Sequence, residues 1–114
     1  LYYNNYANKM SALTHINHEG KAEMVDITDK PHTSREAVAT AKVFMNANTL
    51  KLIKNNEIKK GDVLQVARIA GIMASKKTSE LIPLCHPIDI TSVKIDFQLD
   101  EKESSLTITS TVKT

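Results

Sequence analysis

The chain has 114 residues, 41% of them hydrophobic and 25% charged, with a formal net charge of +2. That is one domain at most, able to bury roughly two-thirds of the surface its unfolded chain exposes. So small a positive surplus, with three Tyr, two Phe and no Trp, supplies neither the charge footprint nor the stacking platform of a nucleic-acid binder. No apolar run approaches the length of a membrane span, and no signal-peptide pattern is visible in these residues. One cysteine, Cys85, rules out an internal disulfide and fits a reducing, cytoplasmic setting.

Residues 1–12 read as an N-terminal leader, polar and without sustained period, expected to be poorly ordered, with Met10 a candidate natural start. A single domain is expected over residues 13–114. His18-Glu19-Gly20 reads as a turn ending at glycine. His15 and His18 have a spacing that suits a metal on a helix, but no helix and no third ligand is signalled, so they read as polar loop residues. Lys21–Thr28 is a short strand candidate through Ala22, Met24, Val25 and Ile27, and Asp29–Ser34 around Pro31 is a turn. The alanines of Arg35–Met45 would suit a helix, but Ala37, Ala39, Ala41, Val43 and Met45 alternate with polar residues as in a strand, and the segment reads as a strand.

Asn46 or Asn48 can cap a short helix, Thr49–Lys54, that buries Leu50 and Ile53. Gly61 and Asp62 suit the first turn of a longer helix. Along it Val63, Val66, Ala67, Ala70, Met73 and Ala74 make one apolar face, with Leu64, Ile69 and Ile72 outside it and Arg68, Gly71 and Ser75 on the narrow remaining strip. Two readings stand for so apolar a helix: burial within its own domain, or a second contact with another subunit. Ile88–Asp100 alternates most clearly of all, Glu101–Ser104 turns, and Leu106, Ile108 and Val112 return as the second strand of a hairpin. The sum is an α+β layer fold in which the long helix crosses one face of an antiparallel or mixed sheet.

Polar chemistry concentrates between Lys60 and Pro87, where Lys60, Lys76 and Lys77 flank the helix and a loop stiffened by Pro83 and Pro87 carries Leu84, Cys85 and His86. With Arg35, these cations would suit a polyphosphate. Lys76, beside Lys77, is placed for a lowered pKa and acid–base work. Solvated surface lysines are the competing reading. Cys85 and His86 do not read as a nucleophilic dyad, because neighbours in an extended segment face opposite sides.

The segments Leu13–Asn17 (LTHIN), Glu23–Ile27 (EMVDI), Lys60–Val63 (KGDV), Ala67–Thr78 (ARIAGIMASKKT) and Leu81–Pro87 (LIPLCHP) resemble, in order, the cyclic pyranopterin monophosphate synthase family of molybdenum cofactor biosynthesis. The resemblance implies a ferredoxin-like α+β subunit with an antiparallel sheet and helices on one face, assembled as a hexamer, a trimer of dimers. It implies a lyase that converts a cyclic dihydroguanosine triphosphate into cyclic pyranopterin monophosphate with release of pyrophosphate, using no cofactor and no metal. Carried over, Lys76 and Lys60 match catalytic lysines, Leu84, Cys85 and His86 the substrate-binding loop, and Arg35 a basic residue near the phosphates. The family's Met-Glu motif, catalytic aspartate and closing helix and strand do not fall within these 114 residues. A non-catalytic remnant that binds nucleotide or phosphate, or serves assembly, is the alternative.

Overall fold

The computed structural model describes residues 15–114. The expected leader, and Leu13 and Thr14 of the first resembling segment, lie outside the described residues. The order of elements is β1 (Glu36–Phe44), α1 (Ala47–Lys54), α2 (Val63–Ser75), α3 (Thr78–Leu81), β2 (Ser92–Asp100) and β3 (Ser105–Lys113). The three strands form one sheet in the order β1-β3-β2. Both outer strands run antiparallel to β3, so β1 and β2 are parallel with β3 threaded between them. This is the split β-α-β connection followed by a hairpin, the first half of the ferredoxin-like pattern.

The hairpin is built as its alternation demands. Val93, Ile95, Phe97 and Leu99 stand opposite Val112, Ser110, Ile108 and Leu106, and Ile95 and Leu106 are buried. Asp100 starts the turn by accepting from the N–H groups of Lys102 and Glu103 through Oδ1. Ser104 then takes a φ of 49°, left-handed backbone that closes the turn. The strand begins at Ser92 rather than Ile88, since the loop after Pro87 joins the sheet only when Thr91 N–H reaches the Lys113 carbonyl.

α1 begins at Ala47, two residues before the expected Thr49, because Asn46 is the cap and its side chain accepts from Asn48 N–H at 2.8 Å. Leu50 is its anchor, 2% exposed, while Ile53 is half-buried. Lys54 pairs with Glu101 at 2.7 Å across to the β2–β3 turn. α2 is capped by Asp62, whose Oδ1 accepts from Gln65 N–H.

The face that α2 turns to the sheet corrects the sequence reading. Val63, Leu64, Ala67, Arg68, Gly71, Ile72 and Ser75 are the half-buried positions, whereas Val66, Ile69 and Met73 are exposed. The strip expected to remain polar and outward is therefore part of the face that packs. It packs because its polar side chains find partners there. Arg68 Nε donates to the Ile95 carbonyl at 3.1 Å and Nη1 to Gln65 Oε1, with the guanidinium 5.4 Å from the Phe97 ring centre. Ser75 Oγ donates back to the Gly71 carbonyl.

Lys21–Thr28 is not a strand. Only an isolated bridge, Ile16 to Ala22, forms there, beside a turn in which Asn17 Oδ1 accepts from Glu19 and Lys21 N–H and Gly20 takes a φ of 76°. The segment has apolar residues but no partner edge among the described residues, and a strand without a ladder leaves its backbone to water. All of β1 is exposed. α2 lies over β2, so the helix-side row Ala37, Ala39, Ala41 and Val43 is uncovered among the described residues.

Candidate functional site

The register fixes which predicted residues can meet. Arg68 reaches Ile95 and Phe97, and Gly71 sits against Ile95, so α2 runs antiparallel to β2. The C-terminal end of α2, with Lys76 as its cap residue, therefore lies toward the Ser92 end of the sheet. The loop holding Leu84, Cys85 and His86 leads directly into that end. Arg35 is at the same end, where its backbone N–H and carbonyl pair with Thr114 beyond the Glu36–Lys113–Ser92 row.

Lys60 is at the other end. It lies in the turn before α2, three residues before a helix of 13 residues, which is about 20 Å long. One chain thus brings Arg35, Lys76 and the Leu84–His86 loop to one end of the sheet and separates Lys60 from them. Lys60, Lys76 and Arg35 are exposed, and none pairs with a carboxylate among the described residues. Arg35 Nε donates to Thr33 Oγ1 at 3.2 Å.

The loop is shaped by its own backbone. α3 ends when Ile82 N–H reaches the Thr78 carbonyl, and Cys85 N–H then closes a turn onto the Ile82 carbonyl at 3.0 Å. Leu84, Cys85 and His86 are half-buried, while Pro83 and Pro87 on either side are exposed. The Cys85 thiol donates to the His86 carbonyl at 3.2 Å. It does not use the imidazole, in keeping with neighbours that face apart. Thr78 Oγ1 donates to the Ser75 carbonyl at 2.6 Å, which fixes the step from α2 into α3.

Asp26 is the residue that spacing did not single out. Its carboxyl is held below the usual carboxylate value, first by the hydrogen bond from the Thr28 hydroxyl and then by that from Thr28 N–H. Burial opposes them, and the His86 imidazole adds a smaller push toward the charged form. The EMVDI segment containing Asp26 belongs to the resembling blocks, but nothing in its spacing ties it to a loop sixty residues away.

Fold and site define an α+β domain of ferredoxin-like connectivity whose unpaired basic side chains flank a proline-stiffened loop. Residues 24–114 match the MoaC family, and the chain belongs to that family. It is 56% identical over 102 residues to a cyclic pyranopterin monophosphate synthase of Thermoanaerobacter sp. (strain X514), an alignment covering 90% of this chain and 65% of the relative. A protein of the same name from Natranaerobius thermophilus is 50% identical over 101 residues, covering 89% and 64%. One from Heliobacterium modesticaldum is 52% identical over 105 residues, covering 92% and 66%. The chain thus spans about 65% of the length of the first of these relatives.

Proposed function

We propose that the whole protein is a cyclic pyranopterin monophosphate synthase of molybdenum cofactor biosynthesis, a lyase acting on a cyclic dihydroguanosine triphosphate with release of pyrophosphate. The observation that carries this reading is that Arg35, Lys76 and the Leu84–His86 loop lie toward the same end of the sheet, in a chain 56% identical to a protein of that name. In this reading Lys76 and Lys60 are catalytic, Leu84, Cys85 and His86 hold the substrate, and Arg35 faces its phosphates. A cytoplasmic setting belongs to the same reading and is supported by the single, unbridged cysteine; no helix among the described residues is long and apolar enough to cross a membrane.

The distance of Lys60 from Lys76 gives the reading its geometry. Val66, Ile69 and Met73 form an exposed apolar stripe, 62%, 58% and 58% exposed, on the outer side of α2. Two copies packed through this stripe with their α2 helices antiparallel would bring Lys60 of one copy alongside the Lys76 end of the other. The hexamer, a trimer of dimers, extends this pairing.

Pyrophosphate release from the cyclic triphosphate by the full-length protein tests both parts. Lys76→Ala is expected to abolish turnover while the protein stays folded, and retained turnover would remove the assignment. Turnover absent from the wild type, with salt-sensitive nucleoside triphosphate binding retained, would favour a binding remnant instead. Lys60→Ala and Lys76→Ala copies, each inactive alone, are expected to regain roughly a quarter of wild-type activity when unfolded and reassembled together. In a mixed pair one of the two shared sites is intact, and half of all pairs are mixed. No recovery on mixing would mean that each site lies within one chain.

A further inference from the structure

Lys76 and the Leu84–His86 loop are joined by one run of hydrogen bonds, and the run passes through Thr78. α2 ends at Ser75, whose carbonyl is one of those that a helix end leaves without an intrahelical partner. The Thr78 hydroxyl donates to it at 2.6 Å. The Thr78 carbonyl accepts from Ile82 N–H at 3.0 Å, and the Ile82 carbonyl accepts from Cys85 N–H at 3.0 Å. Every link but the first joins main chain to main chain. The first is supplied by a side chain, and both of its residues are half-buried. Lys76 and Lys77 stand exposed on the elbow between them. The Lys76 ammonium makes no ion pair among the described residues, so the direction of its stem is set by the backbone it leaves, at φ −67° and ψ −16°.

We propose that Thr78 is a positioning residue for the reaction: its hydroxyl fixes the elbow that aims the Lys76 ammonium at the ligand held by the Leu84–His86 loop. The proposal rests on the reading of Lys76 as catalytic and of the loop as substrate-binding. α3 is a single turn of four residues, and Lys77 at its start makes no side-chain cap. So short a helix has little stability of its own and does not set its own angle to α2. The Thr78 hydroxyl sets it by holding the last carbonyl of α2. Without that bond the Ser75 carbonyl turns to water and the elbow loosens. A small change of angle there is carried to the end of a long side chain, where a misplacement of about 1 Å can cost about a hundredfold in rate. Thr78 acts through Lys76 and not on the ligand, so its loss falls on the chemical step and leaves binding to the loop and the other cations.

Steady-state pyrophosphate release from the cyclic triphosphate by the full-length protein tests this. Thr78→Val keeps the shape of the side chain and removes the hydroxyl, and Thr78→Ser keeps the hydroxyl. Asn46→Ala is the control, since it removes a side chain–backbone hydrogen bond from the cap of α1, beside the hairpin turn. Thr78→Val is expected to lower kcat about tenfold with KM changed by less than about twofold. Thr78→Ser and Asn46→Ala are expected to stay within about twofold of the wild-type kcat. An unchanged kcat in Thr78→Val, a rise in KM alone, or an equal loss in Thr78→Ser or Asn46→Ala overturns the assignment and leaves the role of Lys76 standing, which Lys76→Ala tests separately. A Thr78→Val protein that does not fold, read by circular dichroism, makes the hydroxyl a group that holds the fold and overturns the assignment too. Absence of turnover in the wild type overturns the functional reading and the positioning role with it.

Discussion

Gly71 is where one residue decides how closely helix and sheet approach. A Cβ added there would come 2.9 Å from Ile95 Cδ1 and 3.4 Å from its Cγ1. Ile95 is 6% exposed, so its side chain has little room to withdraw. Gly71→Ala sets two terms against each other. Alanine gains about 1 kcal/mol of helix propensity over glycine, and the displaced methyl of Ile95 gives back a similar amount, so the net change in urea denaturation is expected to be small. Gly71→Leu has no such offset and is expected to cost about 1–3 kcal/mol through overpacking. A leucine variant as stable as the parent would mean that α2 does not approach β2 this closely.

At the level of elements, the hairpin and β1 were legible because their alternation of apolar and polar residues is a property of the strand itself. The start of α1 was legible to within two residues, since Asn46 and Asn48 are both competent caps and only the fold selects Asn46. The Lys21–Thr28 strand was read from composition, but a strand exists only with a partner, and composition does not say whether one is near. The packed face of α2 was misread for a different reason. Counting apolar side chains assigns Arg68, Gly71 and Ser75 to water. Their hydrogen bonds to Ile95, Gln65 and the helix backbone let them face the sheet, and the more uniformly apolar stripe is left outward. Of the candidate site, the residue types and the stiff loop were visible in the sequence; the separation of Lys60 from Lys76 was foreseeable from helix length, while the end of the sheet that Arg35, Lys76 and the loop share depended on tertiary structure. The α2 cap can be tested alone. Asp62→Ala removes the acceptor for Gln65 N–H and is expected to cost about 1 kcal/mol, read as a lower urea midpoint at unchanged slope.

Across the whole molecule, the two outer strands of the sheet are unequal. β2 joins β3 through the short turn of residues 101–104, has α2 on one face, and has its Ile95 carbonyl held by Arg68. β1 pairs with the same central strand in full register, but Phe44 meets Ser105 only after the intervening chain has closed as a long loop. That closure costs more entropy than the hairpin turn. The order of assembly follows: the hairpin and α2 form first and β1 docks last. Native-state hydrogen exchange is expected to show β1 amides opening at lower free energy than the β2–β3 ladder, and equal protection in both would contradict this order. Arg35 travels with β1 through its backbone pairing to Thr114. Each opening of that strand therefore carries Arg35 away from Lys76 and the His86 loop, so the candidate site is the last region to assemble on folding and the first to be lost on fraying.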